Sequence, residues 1–289
     1  MHLLLQTPIV SVIIPTFNSE RTIGCCLRSV KNQSYSNIEI IVVDRFSKDR
    51  TLNIARKFGV RIILKGPERS AQKNYGAKNA NGLFLLFVDS DMELSPKVVG
   101  DCVETCYETG ADTIIIPQVS VAEGFLAECR KMERDSYIGD NLFEAPRFLR
   151  KSVFLGAGGY DKRIIYMEDA DLYLRLKKAG YKTCRIQSRM LHHEGRLSMR
   201  RVVQKAYYYG KNLPLFIKKN PELALKRFCP LHSAYIKNMR LLIKYPTHFV
   251  SLIFMKFCEY IGYSIGILAY YLGAHNDVIE RYYPTNLLS

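Results

Sequence analysis

The sequence of 289 residues predicts an α/β domain built on a mostly parallel sheet flanked by helices, followed by a helical C-terminal region. Three observations carry that expectation. Strand-like apolar runs alternate with helical patterns over roughly the first 90 residues, the signature of βαβ crossovers. One of those runs, Leu83-Phe84-Leu85-Leu86-Phe87-Val88, is apolar throughout and reads as a strand buried on both faces. It ends abruptly in Asp89-Ser90-Asp91, and in open α/β sheets ligands sit beyond the carboxyl ends of the strands.

Each element follows in order. Residues 10–14 form a β-branched run closed by Pro15, after which Thr16-Phe17-Asn18-Ser19-Glu20 leads into a helical pattern with Ile23, Leu27 and Val30. Residues 38–43 repeat the device and end at Asp44, and a helix carrying Ile54, Ala55 and Phe58 follows. Gly59 stops that helix, because glycine takes positive φ without penalty. A third strand over residues 60–64 precedes a helix over 71–80 and then the strand at 83–88. Beyond it the pattern predicts a helix over 97–109 and a strand over 113–116, with Pro117 arguing against further ladder pairing on that side. Residues 120–150 are mixed; Arg147, Arg150 and Lys151 sit on what reads as a strand edge, facing either phosphate or water. Gly156-Ala157-Gly158-Gly159 is a turn, and Glu168-Asp169-Ala170-Asp171 heads a helix over 172–179, where acidic residues serve capping as readily as catalysis.

Two carboxylates one residue apart at a strand end offer hard oxygen ligands suited to Mg2+ or Mn2+, with water and substrate phosphates completing the shell. A solvated acidic turn is the plainer alternative for Asp89 and Asp91 taken alone. No P-loop and no Gly-x-Gly-x-x-Gly fingerprint occurs, which weakens kinase and dehydrogenase readings. The Ser and Cys residues lack the elbow or paired His of nucleophilic catalysis. Eight cysteines without a Cys-x-x-Cys pair or zinc spacing, and a short apolar start without a cleavage site, predict a reduced, cytoplasmic chain.

Four separated stretches together resemble one family: Val12-Ile13-Ile14-Pro15-Thr16-Phe17-Asn18-Ser19-Glu20, Ile40-Ile41-Val42-Val43-Asp44, Val88-Asp89-Ser90-Asp91 and Glu168-Asp169. Their order and spacing are similar to those of the inverting nucleotide-sugar glycosyltransferases of family 2, which have the Rossmann-like GT-A fold. The resemblance covers roughly residues 9–200. It implies that Pro15, Thr16, Asn18, Glu20 and Asp44 hold the nucleoside. Asp89, Ser90 and Asp91 would hold donor and metal, and Asp169 would be the base with Glu168 beside it. The run Arg69-Ser70-Ala71-Gln72-Lys73-Asn74-Tyr75-Gly76 looks like the family's basic helix over the donor, making Arg69, Lys73 and Asn74 donor-binding candidates. His193, within Leu191-His192-His193-Glu194-Gly195, resembles the late His of many members and is a metal or phosphate ligand on that reading. Arg45 departs from the family's usual Asp or Ser and bears on base or ribose preference. Inverting transfer fits the residues: a divalent cation neutralises the leaving diphosphate, and one carboxylate takes the acceptor proton.

The net charge of +15 is concentrated late. Residues 196–289 carry 14 Lys+Arg against 4 Asp+Glu and hold 11 of the 19 Tyr, whereas the preceding residues carry 28 against 23. Nucleic acid, anionic lipid and phosphorylated substrate are all compatible with such a surface. An apolar stretch over residues 249–273 is long enough to span a bilayer, but it contains Lys256 and Glu259. Three apart on a helix, these two pair on one face and leave the other apolar. An interfacial amphipathic region is the preferred expectation, with a packed helical hairpin and a true span as alternatives. The sequence therefore predicts a catalytic domain over 1–200 and a basic, Tyr-rich membrane-associating region over 201–289. Its expected partners are a UDP- or GDP-sugar donor, a lipid-linked or other glycan acceptor and the cytoplasmic membrane face, with no nucleic acid. A nucleotidyltransferase, or a non-catalytic protein binding nucleic acid or lipid, are the rival readings.

Overall fold

The computed structural model describes residues 7–229 and 233–273, so the apolar start at 1–6 and the final part of the C-terminal region at 274–289 lie outside the described residues. In chain order the first elements are β1 (Val10–Thr16), α1 (Ile23–Lys31), β2 (Ile38–Asp44), α2 (Thr51–Lys57), β3 (Arg61–Leu64) and α3 (Arg69–Asn79). Then come β4 (Phe84–Phe87), β5 (Met92–Leu94), α4 (Val98–Thr109), β6 (Thr113–Ile115), β7 (Gln118–Ala122) and α5 (Phe125–Asp135). β8 (Phe148–Arg150), α6 (Lys151–Gly156), α7 (Glu168–Lys178), β9 (Thr183–Arg185) and β10 (Met190–Gly195) follow. The chain continues as α8 (Met199–Lys219), α9 (Pro221–Arg227), α10 (Ser233–Lys237), α11 (Met239–Ile243) and α12 (Pro246–Tyr271).

These elements divide into two compact units. One comprises the residues up to Ile116 with Pro146–Tyr160 and Leu172–Met190; the other comprises Pro117–Ala145, Asp161–Asp171 and the residues from Leu191 on. The division is not a single cut near residue 200, because β7 and α5 group with the C-terminal helices.

The first unit is a sheet ordered β3-β2-β1-β4-β8-β6-β9. β3, β2, β1 and β4 run parallel, as the alternation of apolar runs predicts, while β8 is antiparallel to both its neighbours. Successive side chains on a strand point to opposite faces, and the two cores obey that period. Val12, Ile14, Val42, Leu86 and Val88 pack on one side with Leu27, Val30 and Val99. Ile13, Ile41, Val43, Leu85 and Phe87 pack on the other with Ala77, Phe154 and Leu176. Gly76 lets α3 approach the sheet, since a Cβ there would lie 2.6 Å from the Ile13 side chain. Two expectations are corrected. β8 is an interior strand rather than an edge, and β6 pairs on both sides, with β8 and with β9, so that Pro117 ends the strand without limiting its pairing.

In the second unit α12 packs closely along α8 through glycines: a Cβ on Gly262 would meet Ala206 and Val203, and one on Gly266 would lie 2.3 Å from the Tyr207 carbonyl oxygen. Lys256 and Glu259 do pair, 2.8 Å apart, and both also engage α5, where Lys256 lies 3.0 Å from Glu133 and Glu259 accepts from Arg130. Two cations and two carboxylates thus neutralise one another on the inner face of α12. Its outer face carries Val250, Ile253, Phe254, Phe257, Ile261, Ile265 and Leu268, all exposed.

Candidate active site

In the first unit the site is built at the carboxyl ends of β1, β2 and β4. Register places Thr16 directly opposite Asp44. Asp44 is fully buried and its oxygens accept from Thr16 Oγ1 (2.7 Å), Ser47 N (2.7 Å) and Ser47 Oγ (2.6 Å). Pro15 lies inside β1 opposite Val43 rather than closing the strand. The loop after β1 is fixed to the loop after β2: Asn18 N donates to Ser47 Oγ, and Asn18 Oδ1 accepts from Lys48 N. Glu20 accepts from the backbone and side chain of Arg50, which holds its carboxyl below the ordinary range and ties it to the neighbouring loop. Ser90 Oγ donates to Ser19 Oγ.

Asp89 is bracketed by cations. Lys73 Nζ lies 3.1 Å from its Oδ1 and Arg147 NH1 2.9 Å from its Oδ2. Burial alone would raise its pKa, but Lys73, Arg147 and Arg69 hold this carboxyl well below the usual range. Arg147 owes its place to the ladder, since Phe87 N donates to its carbonyl. The α3 helix presents a buried polar face: Gln72 donates to the carbonyls of Thr16 and Val43, while Asn74 exchanges both its amide groups with the Tyr160 backbone. Asn74, expected on the donor, is thereby engaged in holding α3 to the turn at 156–160.

Asp91 is 9% exposed beside this cluster. Among the described residues no group of three or more His, Cys, Asp or Glu converges on a metal position, so the expected ligands do not form a ready-made protein cage. Asp91 and Asp89 nevertheless offer the hard oxygens that Mg2+ or Mn2+ takes when diphosphate and water complete its shell. Asp89 is matched by Lys73 and Arg147.

In the second unit Glu168, Asp169 and Asp171 lie in the first turn of α7 rather than ahead of it. Asp171 is fully buried, 2.8 Å from Lys219 Nζ, and accepts from Asn220 Nδ2. That makes it the anchor of the turn. Glu168 is buried, while Asp169 is partly open and accepts from the Ala170 amide. His193 lies on β10 on the strand face opposite His192 and Glu194. Glu194 is held by Arg134 (2.6 Å), Ser120 (2.9 Å) and His192 (3.1 Å).

Among the described residues three non-glycine residues have left-handed φ: Asn18 (47°), Phe46 (59°) and Met167 (69°). Each adjoins a candidate carboxylate loop, and such strain collects at functional sites. Sequence reasoning left Arg147 open between phosphate and water and did not single out Gln72, Lys219 or Arg227. Their side chains acquire meaning only through partners far along the chain.

A sequence model described as Glycosyl transferase family 2 matches residues 11–172. The chain belongs to this family. It is 29% identical over 191 residues to "Glycosyltransferase AglE" of Haloferax volcanii, covering 60% of this chain and 63% of that one. It is 28% identical to the "GalNAc(5)-diNAcBac-PP-undecaprenol beta-1,3-glucosyltransferase" of Campylobacter jejuni, covering 59% and 60%. The chain thus spans less than two thirds of the length of these relatives. Among solved structures, the mannosyltransferase PcManGT of Pyrobaculum calidifontis with GDP-Man and Mn2+ superposes with a TM-score of 0.63 at 14% identity, covering 92% of this chain and 88% of that one. TarS 1-349 of S. aureus with UDP-GlcNAc gives 0.52 at 18%, covering 91% and 92%. These likenesses show the GT-A fold.

Proposed function

We propose that the protein moves a sugar, with inversion, from a UDP- or GDP-sugar to a hydroxyl or phosphate of a lipid-linked or membrane-proximal glycan acceptor. The observation that carries this reading is the end of β4, where Asp89 stands between Lys73 and Arg147 with Asp91 two residues on. Cations and carboxylates interleaved at a sheet end suit a diphosphate bridged to a divalent metal. Thr16, Asn18 and Asp44 form the adjoining nucleoside wall, and Arg69 and Lys73 meet donor phosphate. Mn2+ or Mg2+, when bound, neutralises charge on the leaving diphosphate. Asp91, with Asp89 beside it, would hold the ion. Asp169 takes the proton of the attacking acceptor group, and Glu168 orients it. Relatives named for lipid-linked and nucleotide-sugar substrates support the choice of donor and acceptor class.

The outer face of α12 supports work at a cytoplasmic membrane surface. The helix is long and apolar enough to cross a bilayer, yet its two charges are matched by α5 on the inner side. A peripheral helix lying in the interface accounts for both facts.

A thermal-shift series with UDP-, GDP- and dTDP-sugars, with and without Mn2+, tests the reading, because a ligand of the folded state raises apparent stability. One sugar nucleotide is expected to stabilise the wild type in a metal-dependent way, and Asp91→Asn to abolish the metal dependence with the unliganded melting point preserved. Absence of any shift, or a shift indifferent to metal in both proteins, contradicts it.

A further inference from the structure

Arg227 ends α9 in the second unit. Its Nε donates to the Leu142 carbonyl (2.6 Å), NH1 to Met167 Sδ (2.8 Å), and its guanidinium lies 5.7 Å from the centre of the Phe143 ring. All three partners are neutral. Four other cations of this unit are matched by carboxylates: Lys219 by Asp161 and Asp171, Arg134 by Glu194, Lys256 and Arg130 by Glu133 and Glu259. Among the described residues, no carboxylate stands within ion-pair distance of Arg227. Burial disfavours its charge, and the carboxylates that favour it from further away are Asp169 and Asp140.

Withdrawing a cation from water without a matched anion is costly, so the arrangement calls for a ligand of opposite charge. Arg227 has donors to spare, since two of its five N–H groups are used and the rest keep the fork that fits a phosphate. It also grips Met167, the left-handed residue immediately before Glu168. We infer that Arg227 binds a phosphate group of the acceptor, which makes the acceptor a phosphate-bearing glycan whose reacting group lies close to that phosphate. This rests on the reading of Glu168 and Asp169 as the acceptor-activating pair. A phosphate held there sets the distance between the anchored anion and the group that loses its proton, so a neutral acceptor forfeits both binding and alignment.

The test titrates inorganic phosphate into the metal-free full chain by calorimetry, for the wild type, Arg227→Gln and Arg227→Lys, with melting curves and sugar-nucleotide binding recorded alongside. Phosphate affinity is expected to fall at least tenfold in Arg227→Gln, with Arg227→Lys intermediate and donor affinity within about threefold of wild type. Equal phosphate affinity in folded wild type and Arg227→Gln overturns the inference. Should the variants fail to fold, phosphate protection of wild-type Arg227 against phenylglyoxal, mapped by mass spectrometry, decides: slowed modification supports the assignment and an unchanged rate overturns it. Loss of sugar-nucleotide binding by the wild type would overturn the transferase reading instead, and the phosphate titration still reports on Arg227 by itself.

Discussion

Arg147 NH1 lies 2.9 Å from Asp89 Oδ2, joining the residue before an antiparallel strand to the carboxylate beyond a parallel one. With Lys73 on the other oxygen, Asp89 stays ionised while mostly buried. Replacing Arg147 by Met is therefore expected to weaken sugar-nucleotide binding by about tenfold or more, the scale of one charge-assisted hydrogen bond. Calorimetry on the folded variant measures this, and unchanged affinity would leave Arg147 a purely structural partner of Asp89.

A second prediction concerns acid stability. Burial would raise Glu194, but His192, Arg134 and Ser120 hold it at about 2. A depressed carboxylate contributes stability that is fully present above its unfolded pKa, near 4.3, and is lost as pH falls through the folded value. Glu194→Gln should cost on the order of 3 kcal/mol at pH 7, and the gap to wild type should narrow as pH drops from about 4 toward 2. Urea unfolding at pH 6.5, 4 and 3 reads it; a gap that widens toward acid contradicts the assignment.

The parallel half of the sheet was legible because β1, β2 and β4 are apolar on both faces, a pattern few alternatives produce. The carboxylates at their ends were legible for the same reason: polarity begins where the strand stops. What was not legible depends on distant pairing. Arg147 reads as an edge residue until β8 is seen between β4 and β6. Asn74 reads as a ligand until Tyr160, 86 residues on, takes both its amide groups. Lys256 and Glu259 were expected to pair with each other, but their neutralisation by Arg130 and Glu133 of α5 lies outside any local pattern.

The apolar face of α12 makes a further prediction. The wild type should sediment with anionic phosphatidylserine-containing vesicles and be partly released by high salt, since each nearby Lys or Arg contributes about 1 kcal/mol. Phe254→Glu with Ile261→Glu, on exposed positions, should abolish sedimentation without lowering the melting point. Binding indifferent to both changes would remove this face from the account, and full resistance to carbonate extraction would mark a spanning helix.

The base assignment is the central claim, and Asp169→Asn tests it most directly when donor affinity and sugar transfer are measured on the same protein. Asp169 accepts a short-range bond from the adjacent Ala170 amide, while the neighbouring Asp171 carries the structural load through Lys219 and Asn220. The Asn variant should bind sugar nucleotide within about threefold of wild type and lose transfer by roughly 10²–10⁴-fold, the contribution of a positioned general base. Transfer within a few-fold of wild type, at normal donor affinity, would contradict Asp169 as the base.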